Sequence, residues 1–425
     1  MGAAVSRPGA ARREGKLVTQ DPIDRARAQR LMAAAGLDAL VLFQPEHVAS
    51  ATGTNPGVAA LFRRAGAASA VVPADPAHRI AAVMPDLMAG AVRLTDAPVD
   101  VAFHPIWVDT ARVGPHGADD PLAAVLGPGE PVSRPATFDP RAAFALLADQ
   151  LKRLGLARAR LGLDLGFVPV ADFELLKSAL PGATLLDGTD AIRRLRMVKT
   201  AAEIARLRAA AELGEAGYAG ALGSVRPGVD RAELSLAYAD GVRAAAAERG
   251  VAVVGHWDYI SIGPDPWGPG RPAQAGDIFK FDVGVVIGGH SSDFARTVCL
   301  GMPSRAAREL HAALLAGLQA GLAAMKPGAR LESIHAVMIE TVRKAGVPAY
   351  SRGHFGHGLG NDPFSEQWPF IAGDCDVVAE PGMVLAIEAP HYVEGLGGFI
   401  IEDQVLVTAH GLEIMTKSPR DLLQL

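Results

Sequence analysis

The feature that most constrains the fold is the stretch FDVGVVIGGHSSDFARTV at 281–298, where two acidic residues interrupt an apolar pattern. Its apolar positions alternate as in a strand with one buried face, and the pair Gly288-Gly289 is typical of a two-residue hairpin turn. Burying a carboxylate in such a sheet is costly unless it is paired with a cation or binds a metal. Asp282 and Asp293 therefore require a compensating positive charge.

The predicted hairpin places both carboxylates on the same face of the sheet. With a two-residue turn, Gly284 faces Asp293 and Asp282 faces Ala295. The two acidic side chains are then diagonal neighbours, roughly 7–8 Å apart at the backbone. Because the other residues on this face are mostly small, the hairpin leaves room for a ligand between the two carboxylates.

A second glycine-rich hairpin is predicted in MVLAIEAPHYVEGLGGFIIEDQVLV at 383–407. A three-residue loop at 395–397, a common hairpin length, would make Glu388 and Glu402 diagonal neighbours on one face as well. A register slip of one residue would separate them. The sequence therefore predicts two hairpins that each present a pair of carboxylates.

Between the two hairpins, the segment SRGHFGHGLGND at 351–362 surrounds His357 with glycines, which let the backbone approach closely and leave the imidazole free to coordinate. Four carboxylates and one imidazole suit divalent ions such as Mn, Fe, Co or Zn. Two such ions would balance the four negative charges. The residues alone leave open that each acid is a turn cap or salt-bridge partner, and that His357 is an ordinary loop histidine.

The region at 21–195 alternates short apolar runs with helical patterns, which predicts an α/β domain. The runs ALVLF, SAVVPAD, IAAVMP and ARLGLDLGF are predicted strands. The segment at 104–140 is rich in proline and glycine and is predicted to be a loop. Residues 1–20 lack the apolar core of a secretory signal and are predicted to form a flexible tail.

The region at 196–425 has a different pattern, in which long helices alternate with hairpins. This predicts an α+β domain with helices on one face of a curved sheet. Thr200 followed by Glu203 predicts a capping box at the start of the first long helix. The predicted helices lie at 200–222, 230–249, 303–325 and 331–345.

The C-terminal region resembles the pita-bread metalloenzyme family, which includes methionine aminopeptidase, aminopeptidase P, prolidase and creatinase. The resemblance rests on the segments GDIFKFDVGVVIGGHSSDFARTV, GHGLG, EPGMVLAIEAP and GGFIIEDQVLVTAHGLEIMT. The N-terminal segment RAQRLMAAAGLDALVLFQPEHVASATGT is similar to the smaller creatinase/prolidase N-terminal domain. The resemblance implies an α+β chain with a creatinase-type α/β domain at 21–195 and a pita-bread catalytic domain at 196–425.

The resemblance also implies roles for the clustered residues. Asp282 would bind one metal ion, Asp293 and Glu402 would bridge two ions, and His357 and Glu388 would hold the second. Two cations about 3.5–4 Å apart would activate a bridging water and polarise a scissile carbonyl. The implied protein is a homodimeric dinuclear-metal hydrolase of a C–N bond. Its substrate would be an Xaa-Pro dipeptide or a small amino-acid-derived or amidine-type compound.

The sequence departs from this family at two histidines that its peptidases carry. The position seven residues after the ligand histidine is Phe364, and the segment GPDPWGPG, about 17 residues before the first aspartate, contains no histidine. Standard peptidase chemistry would therefore need other groups. Asp362, Glu366 and His354 are the candidate acid/base residues.

Two alternatives stay open. One is a non-hydrolytic lyase resembling the dimethylsulfoniopropionate lyases of this fold, although those enzymes carry an aspartate where this chain has Gly284. The other is a non-catalytic binding protein on the same fold, although such proteins typically lose metal ligands and all five are present here.

Composition limits the binding partners and the cellular location that the sequence predicts. The net charge of -5 gives no sign of a nucleic-acid surface, and no apolar run is long enough to predict a membrane span. Two cysteines cannot build a disulfide framework, so the sequence predicts a cytoplasmic protein.

Overall fold

The structure is a computed structural model that describes residues 22–95, 97–110, 133–268, 270–362 and 364–425. The predicted tail at 1–20 and the central part of the predicted loop at 104–140 lie outside the described residues. Within them, the chain forms two large sheets, each covered by its own helices.

The first sheet is mixed and has the strand order β4-β3-β2-β1-β5-β6. Its pairs β1–β2 and β2–β3 are antiparallel, whereas the other neighbours are parallel. The four apolar runs that the sequence marked as strands are confirmed. The strands are β1 (Ala39–Leu42), β2 (Ser69–Pro73), β3 (Ile80–Pro85), β4 (Val99–His104), β5 (Arg160–Leu163) and β6 (Thr184–Asp187).

Helices cover both faces of this sheet, as expected for an α/β arrangement. They are α1 (Arg25–Ala35), α2 (Pro45–Thr52), α3 (Ala59–Phe62), α4 (Ala89–Leu94), α5 (Pro140–Arg153), α6 (Val170–Ala179) and α7 (Thr189–Arg196), with a 3-10 turn at Asp86–Met88. Helices α1, α2 and α7 bury apolar side chains in one core. Helices α5 and α6 do so in the core on the opposite face.

The second sheet has the order β10-β9-β11-β17-β14-β12-β13, with β7 and β8 also paired to β9, β18 to β17, and β19 to β11. A two-stranded ribbon of β15 and β16 adjoins it. The strands are β7 (Gly255–Asp258), β8 (Ser261–Ile262), β9 (Ile278–Ile287), β10 (His290–Ser291), β11 (Phe294–Cys299), β12 (His354–Gly358), β13 (Gln367–Ala372), β14 (Val384–Glu388), β15 (His391–Val393), β16 (Gly397–Phe399), β17 (Glu402–Thr408), β18 (Gly411–Ile414) and β19 (Leu423–Gln424).

Four long helices pack on this sheet: α8 (Ala201–Leu222), α9 (Arg231–Arg249), α10 (Arg305–Ala324) and α11 (Leu331–Lys344). They confirm the four predicted helices to within two residues at each end. The predicted capping box is present, since the Thr200 hydroxyl accepts from the Glu203 backbone N–H and the Glu203 carboxylate accepts from Thr200. Helices α8 and α9 share a core with β9 and β11, and α10 and α11 share one with β14 and β17.

The chain passes from the first sheet to the second between the end of α7 at Arg196 and the start of α8 at Ala201. The boundary at 195 stays a prediction. Among the described residues, none of the helices combines the length and apolarity needed to cross a bilayer.

Candidate metal centre

The hairpin formed by β9, β10 and β11 has the predicted register. Ile287 pairs with His290 and Asp282 pairs with Ala295. The two turn glycines have φ angles of 56° and 86°, the left-handed values that a tight hairpin turn needs. Because side chains alternate along a strand, Asp282 and Asp293 emerge on the same face of the sheet.

The second hairpin differs in register from the prediction. Glu388 pairs directly with Glu402, and Val393 pairs with Gly397, so the loop is at 394–396. The predicted loop at 395–397 and the diagonal arrangement are wrong, because Gly395 takes the left-handed conformation at the centre of the loop, with φ of 84°. A shift of one loop position changes the register by two residues, so both glutamates stay on one face.

The imidazole of His357 is held in place by its own backbone. Strand β12 can approach β14 closely because Gly356, at φ 132°, has no Cβ, which would overlap a carbonyl of β14. The Nδ1 atom of His357 lies 3.1 Å from the carbonyl oxygen of Gly358. Donating a proton there leaves Nε2 as a free acceptor, 3.7 Å from Asp293 Oδ2 and 3.9 Å from Glu402 Oε1.

Three of the five predicted ligands form a compact cluster. Ligand atoms of Asp293, His357 and Glu402 all lie within 4.8 Å of one another, and all three residues are buried. Asp282 and Glu388 line the same cavity, which has a volume of about 410 Å³. The structure thus brings all five residues to one cavity.

The electrostatics of this cavity favour bound cations. Burial, together with repulsion between the carboxylates, raises the pKa of Asp282 to about 7 and also raises the pKa values of Asp293, Glu388 and Glu402. Burial lowers the pKa of His357 to about 3, so its imidazole is neutral and able to ligate. The Oδ1 atom of Asp293 is buried, and no hydrogen-bond donor of the described residues contacts it. An orphaned carboxylate oxygen among oxygen and imidazole donors fits a divalent ion.

Two basic residues, Arg352 and Lys280, contact the two predicted ligands outside the compact cluster. The sequence analysis did not identify either of them. Arg352 donates to Glu388 Oε1 at 3.0 Å, and Lys280 Nζ lies 3.8 Å from Asp282 Oδ2. In the part of the chain that the structure describes, no lysine or arginine pairs with the carboxylates of the compact cluster. Lys280 had a sequence signal, because it interrupts an apolar strand two residues before Asp282 and so shares its face.

Two of the three predicted acid/base residues line the metal cavity, and one of these two, Glu366, also lines the second cavity that contains Asp362. His354 and Glu366 line the metal cavity. His354 Nδ1 lies 3.4 Å from Glu388 Oε1 and its Nε2 lies 3.8 Å from Glu366 Oε2. Burial and neighbouring positive charge lower the pKa of His354, which favours the neutral ring.

Asp362 lies instead in a second cavity of about 290 Å³ between the two halves of the chain. It forms an ion pair with Arg196 at 3.3 Å and accepts from Gln44 at 3.5 Å. Gln367 also donates to it. These contacts join the two halves of the chain, and an acid/base role for Asp362 stays a prediction.

Aromatic side chains form much of the cavity wall, and the sequence interpretation did not identify them as a group. The rings of Trp267 and Tyr392 pack with centroids 4.2 Å apart, and those of Trp257 and Tyr259 lie 5.5 Å apart. Phe364, in the position of the missing peptidase histidine, also lines the cavity and is 47% exposed.

Comparisons with known proteins cover both halves of the chain. The family model for metallopeptidase family M24 matches residues 205–409, and that for the creatinase/prolidase N-terminal domain matches residues 25–198. An Xaa-Pro dipeptidase of Lactobacillus helveticus is 30% identical over 288 residues, 66% of this chain and 76% of the relative. An Xaa-Pro dipeptidase of Pyrococcus furiosus is 28% identical over 238 residues, 55% of this chain and 67% of the relative.

Solved structures match over nearly the whole length. The crystal structure of dipeptidase PepE from Mycobacterium ulcerans has a TM-score of 0.72 at 26% identity and covers 94% of this chain and 96% of that one. The structure of an Xaa-Pro dipeptidase from Bacillus anthracis has a TM-score of 0.72 at 22% identity, over 94% and 99% of the two chains. These findings confirm the expected fold, a creatinase-type N-terminal domain followed by a pita-bread domain.

Proposed function

The chain belongs to metallopeptidase family M24 and is a metal-dependent hydrolase, and we propose that it is a two-metal dipeptidase-type enzyme that cleaves a C–N bond in a dipeptide or a similarly small amide. The observation that carries the proposal is the convergence of three buried carboxylates, the half-buried carboxylate of Asp282 and one neutral imidazole on a single cavity.

The residues that would hold the two ions are those that the sequence marked. They are Asp282, Asp293, His357, Glu388 and Glu402. When bound, divalent ions would supply a low-pKa water at neutral pH and Lewis-acid polarisation of the scissile carbonyl. The oxygen-rich donor set with one imidazole is typical of Mn, Fe, Co or Zn and gives no preference among them.

The protein's own residues would then position the acids and manage the proton. Arg352 fixes one oxygen of Glu388 through its 3.0 Å hydrogen bond and leaves the other oxygen free. His354 and Glu366 face each other at the cavity, 3.8 Å apart, where a proton can pass to a leaving nitrogen. Since this chain lacks the two usual peptidase histidines, His354 and Glu366 are the groups that we assign to that proton transfer.

The size of the cavity and the relatives support a small substrate. A volume of about 410 Å³ is at the low end of the range for small-molecule pockets. Relatives named Xaa-Pro dipeptidase support a dipeptide with proline on the leaving side. The small amino-acid-derived or amidine-type substrate stays part of the proposal because of the missing histidines. We also keep the homodimer and the cytoplasmic location as predictions.

The lyase alternative is disfavoured by the space around Gly284. A Cβ at this position would overlap the carbonyl oxygen of Ser292 and the ring of Trp257. No side chain fits there, and a third carboxylate two residues after Asp282 is therefore excluded by packing. The binding-protein alternative is disfavoured because no predicted metal ligand has been lost.

The test is a metal measurement followed by a substrate panel. Purified protein should bind two divalent ions per chain and, with Mn or Zn restored, hydrolyse one compound among Xaa-Pro dipeptides, creatine and acylated diamino acids. Asp293→Ala should abolish activity and reduce the metal content, whereas Glu394→Gln, on the exposed hairpin loop, should change neither. Full activity in the Asp293 variant would falsify the proposal.

A further inference from the structure

We propose that Arg231 and Lys280 form a carboxylate-binding subsite in the metal cavity, so that the preferred substrate carries an anionic group at a distance from the bond that is cleaved. This inference rests on the proposed function and assigns the substrate class of that same cavity. Neither residue belongs to the predicted metal ligands or to the proton-transfer pair. Both line the cavity beside them.

Arg231 is a cation without a partner. It lines the cavity, and within the described ranges no hydrogen bond, ion pair or ring contact involves its side chain. It is the first residue of α9, where the helix dipole disfavours positive charge. Its neighbour in sequence, Asp230, is occupied in capping the helix by accepting from the Glu233 backbone N–H. An unpaired arginine at such a position is stabilised when an anion binds.

Lys280 is a buried cation with a weak partner. Its side chain is only 4% exposed, and its nearest carboxylate oxygen, on Asp282, is 3.8 Å away. Its ammonium lies 5.3 Å from the ring centroids of both Trp267 and Tyr392, which attract it but carry no net charge. If Asp282 binds a metal ion, its negative charge is shared with that ion and offsets the positive charge of Lys280 less.

The overall charge of the loaded cavity supports the same conclusion. Five acidic and three basic side chains line it, so two divalent ions would leave two net positive charges. Uncompensated charge in a partly desolvated cavity is unfavourable, and an anionic ligand reduces it. Arg231 and Lys280 line the same cavity and carry like charges, so they repel each other. A carboxylate near both would relieve that repulsion.

The aromatic pair gives the subsite its shape. Trp267 packs on Tyr392 above the ammonium of Lys280, while the backbone of Gly398 lies against the aliphatic part of the lysine, where a Cβ would be 3.3 Å from Cδ. The lysine head group is therefore confined between rings and strand. A ligand would present its carboxylate to Lys280 and its apolar portion to the exposed face of Trp267.

The test compares two ligands that differ by one charge. Glutarate and glutaramate have the same shape, but the second carries a carboxamide in place of one carboxylate. Manganese-loaded wild-type protein should bind glutarate at least about tenfold more tightly in isothermal titration calorimetry, because a hydrogen bond to a charged group contributes about 1.5–3 kcal/mol. The ratio of the two dissociation constants is the measured quantity.

Variants of Arg231 and Lys280 test whether these two cations cause the difference in affinity between the two ligands. Arg231→Gln and Lys280→Met should each bring the ratio close to one, whereas Arg231→Lys should restore most of it. The matched control is Arg226→Gln. Arg226 lies just before the same helix, pairs with the exposed Glu233 and does not line the cavity. Thermal melting checks folding. Should Lys280→Met fail to fold, the Arg231 variants decide alone, because no hydrogen bond or ion pair among the described residues involves the Arg231 side chain.

Metal content measured on the same samples separates the two proposals. Normal metal uptake with equal affinity for both ligands in the wild type, or an unchanged ratio in the Arg231 variants, would overturn the subsite and leave the hydrolase proposal intact. If the wild type took up no metal, the two-metal function would fail, and the same titration on metal-free protein would still decide whether Arg231 selects a carboxylate.

A last comparison identifies the source of the carboxylate in a substrate. Gly-Pro, Gly-Pro amide and Asp-Pro amide are used as competing ligands. Weaker binding of both amides assigns the subsite to the C-terminal carboxylate of a dipeptide. Binding recovered by Asp-Pro amide assigns it to an acidic side chain. Equal binding of all three contradicts the subsite.

Discussion

Glu388 and Glu402 lie directly opposite each other on adjacent antiparallel strands, and both are buried, at 5% and 2% exposure. Like charges in directly opposed positions destabilise a sheet. Among the described residues, Arg352 pairs with Glu388, whereas Glu402 has no lysine or arginine partner and faces the imidazole of His357. The pair is therefore a local destabilisation of the metal-free sheet, which bound cations would reverse.

Glu402→Gln should raise the stability of the metal-free protein and lower the amount of metal that the protein binds. Removing one of two opposed charges contributes up to about 1 kcal/mol, which corresponds to a rise in melting temperature of about 2 °C for a protein of this size class. Metal content, measured by mass spectrometry, should fall. Glu394→Gln is the control, and a lower melting temperature of metal-free Glu402→Gln would contradict this account.

Removing metal with a chelator should destabilise the wild type but should have little effect on a variant that lacks the metal site. A ligand that binds only the folded state at about 100 times its dissociation constant stabilises by about 2.7 kcal/mol. Treatment with a chelator should therefore lower the melting temperature by several degrees, and added manganese should restore it. In Asp293→Ala the same treatment should have little effect. Equal shifts in both proteins would place the responsible metal elsewhere.

Glu366 and Asp362 should respond differently to loss of their charge. Glu366→Gln should lower kcat by about 100-fold, the usual scale for a proton-transfer group, because Glu366 borders the metal cavity beside His354. Asp362→Asn should mainly lower the melting temperature, since Asp362 accepts from Gln44 in the N-terminal half and pairs with Arg196 at the end of α7. Steady-state kinetics and melting curves distinguish them, and the reverse pattern would return the catalytic role to Asp362.

The buried His311 should make stability sensitive to acid. Burial lowers its pKa from 6.5 to about 4, although Asp421 acts in the opposite direction. Between these values the unfolded chain binds a proton that the folded chain does not, so stability falls as the pH drops from about 6.5 to 4, by up to about 3 kcal/mol.

His311→Leu should remove that part of the acid sensitivity. The difference in melting temperature between variant and wild type should therefore grow as the pH is lowered from 7 to about 4.5. His410→Gln, at an exposed position, is the control. A difference in melting temperature that stayed constant across this pH range would show that protonation of His311 does not cause the acid sensitivity.

The local pattern was enough to place four strands of the first sheet, the four long helices and the first hairpin, whereas β4 and β6 were not predicted. The alternation around Asp282 and the glycine pair at 288–289 predicted a register that the structure confirms. The second hairpin was placed one loop position late, because glycines at 395 and 397 both permit a left-handed residue and sequence spacing does not choose between them.

The acid/base residues show where sequence spacing stops being informative. Asp362 and Glu366 are four residues apart and both line the cavity between the two halves, yet of the two Glu366 alone also lines the metal cavity. The position of Asp362 depends on contacts with Arg196 and Gln44, which are more than 150 positions away.

The sequence by itself determined the four long helices, the first hairpin and which acidic residues share a face, because side-chain alternation and turn chemistry are local properties of the chain. Tertiary structure alone decided that the two hairpins and His357 meet at one cavity, and that Arg231, Lys280 and Arg352 surround it. Burial and charge pairing are set by contacts between distant segments, so the electrostatic character of the cavity is a property of the folded chain.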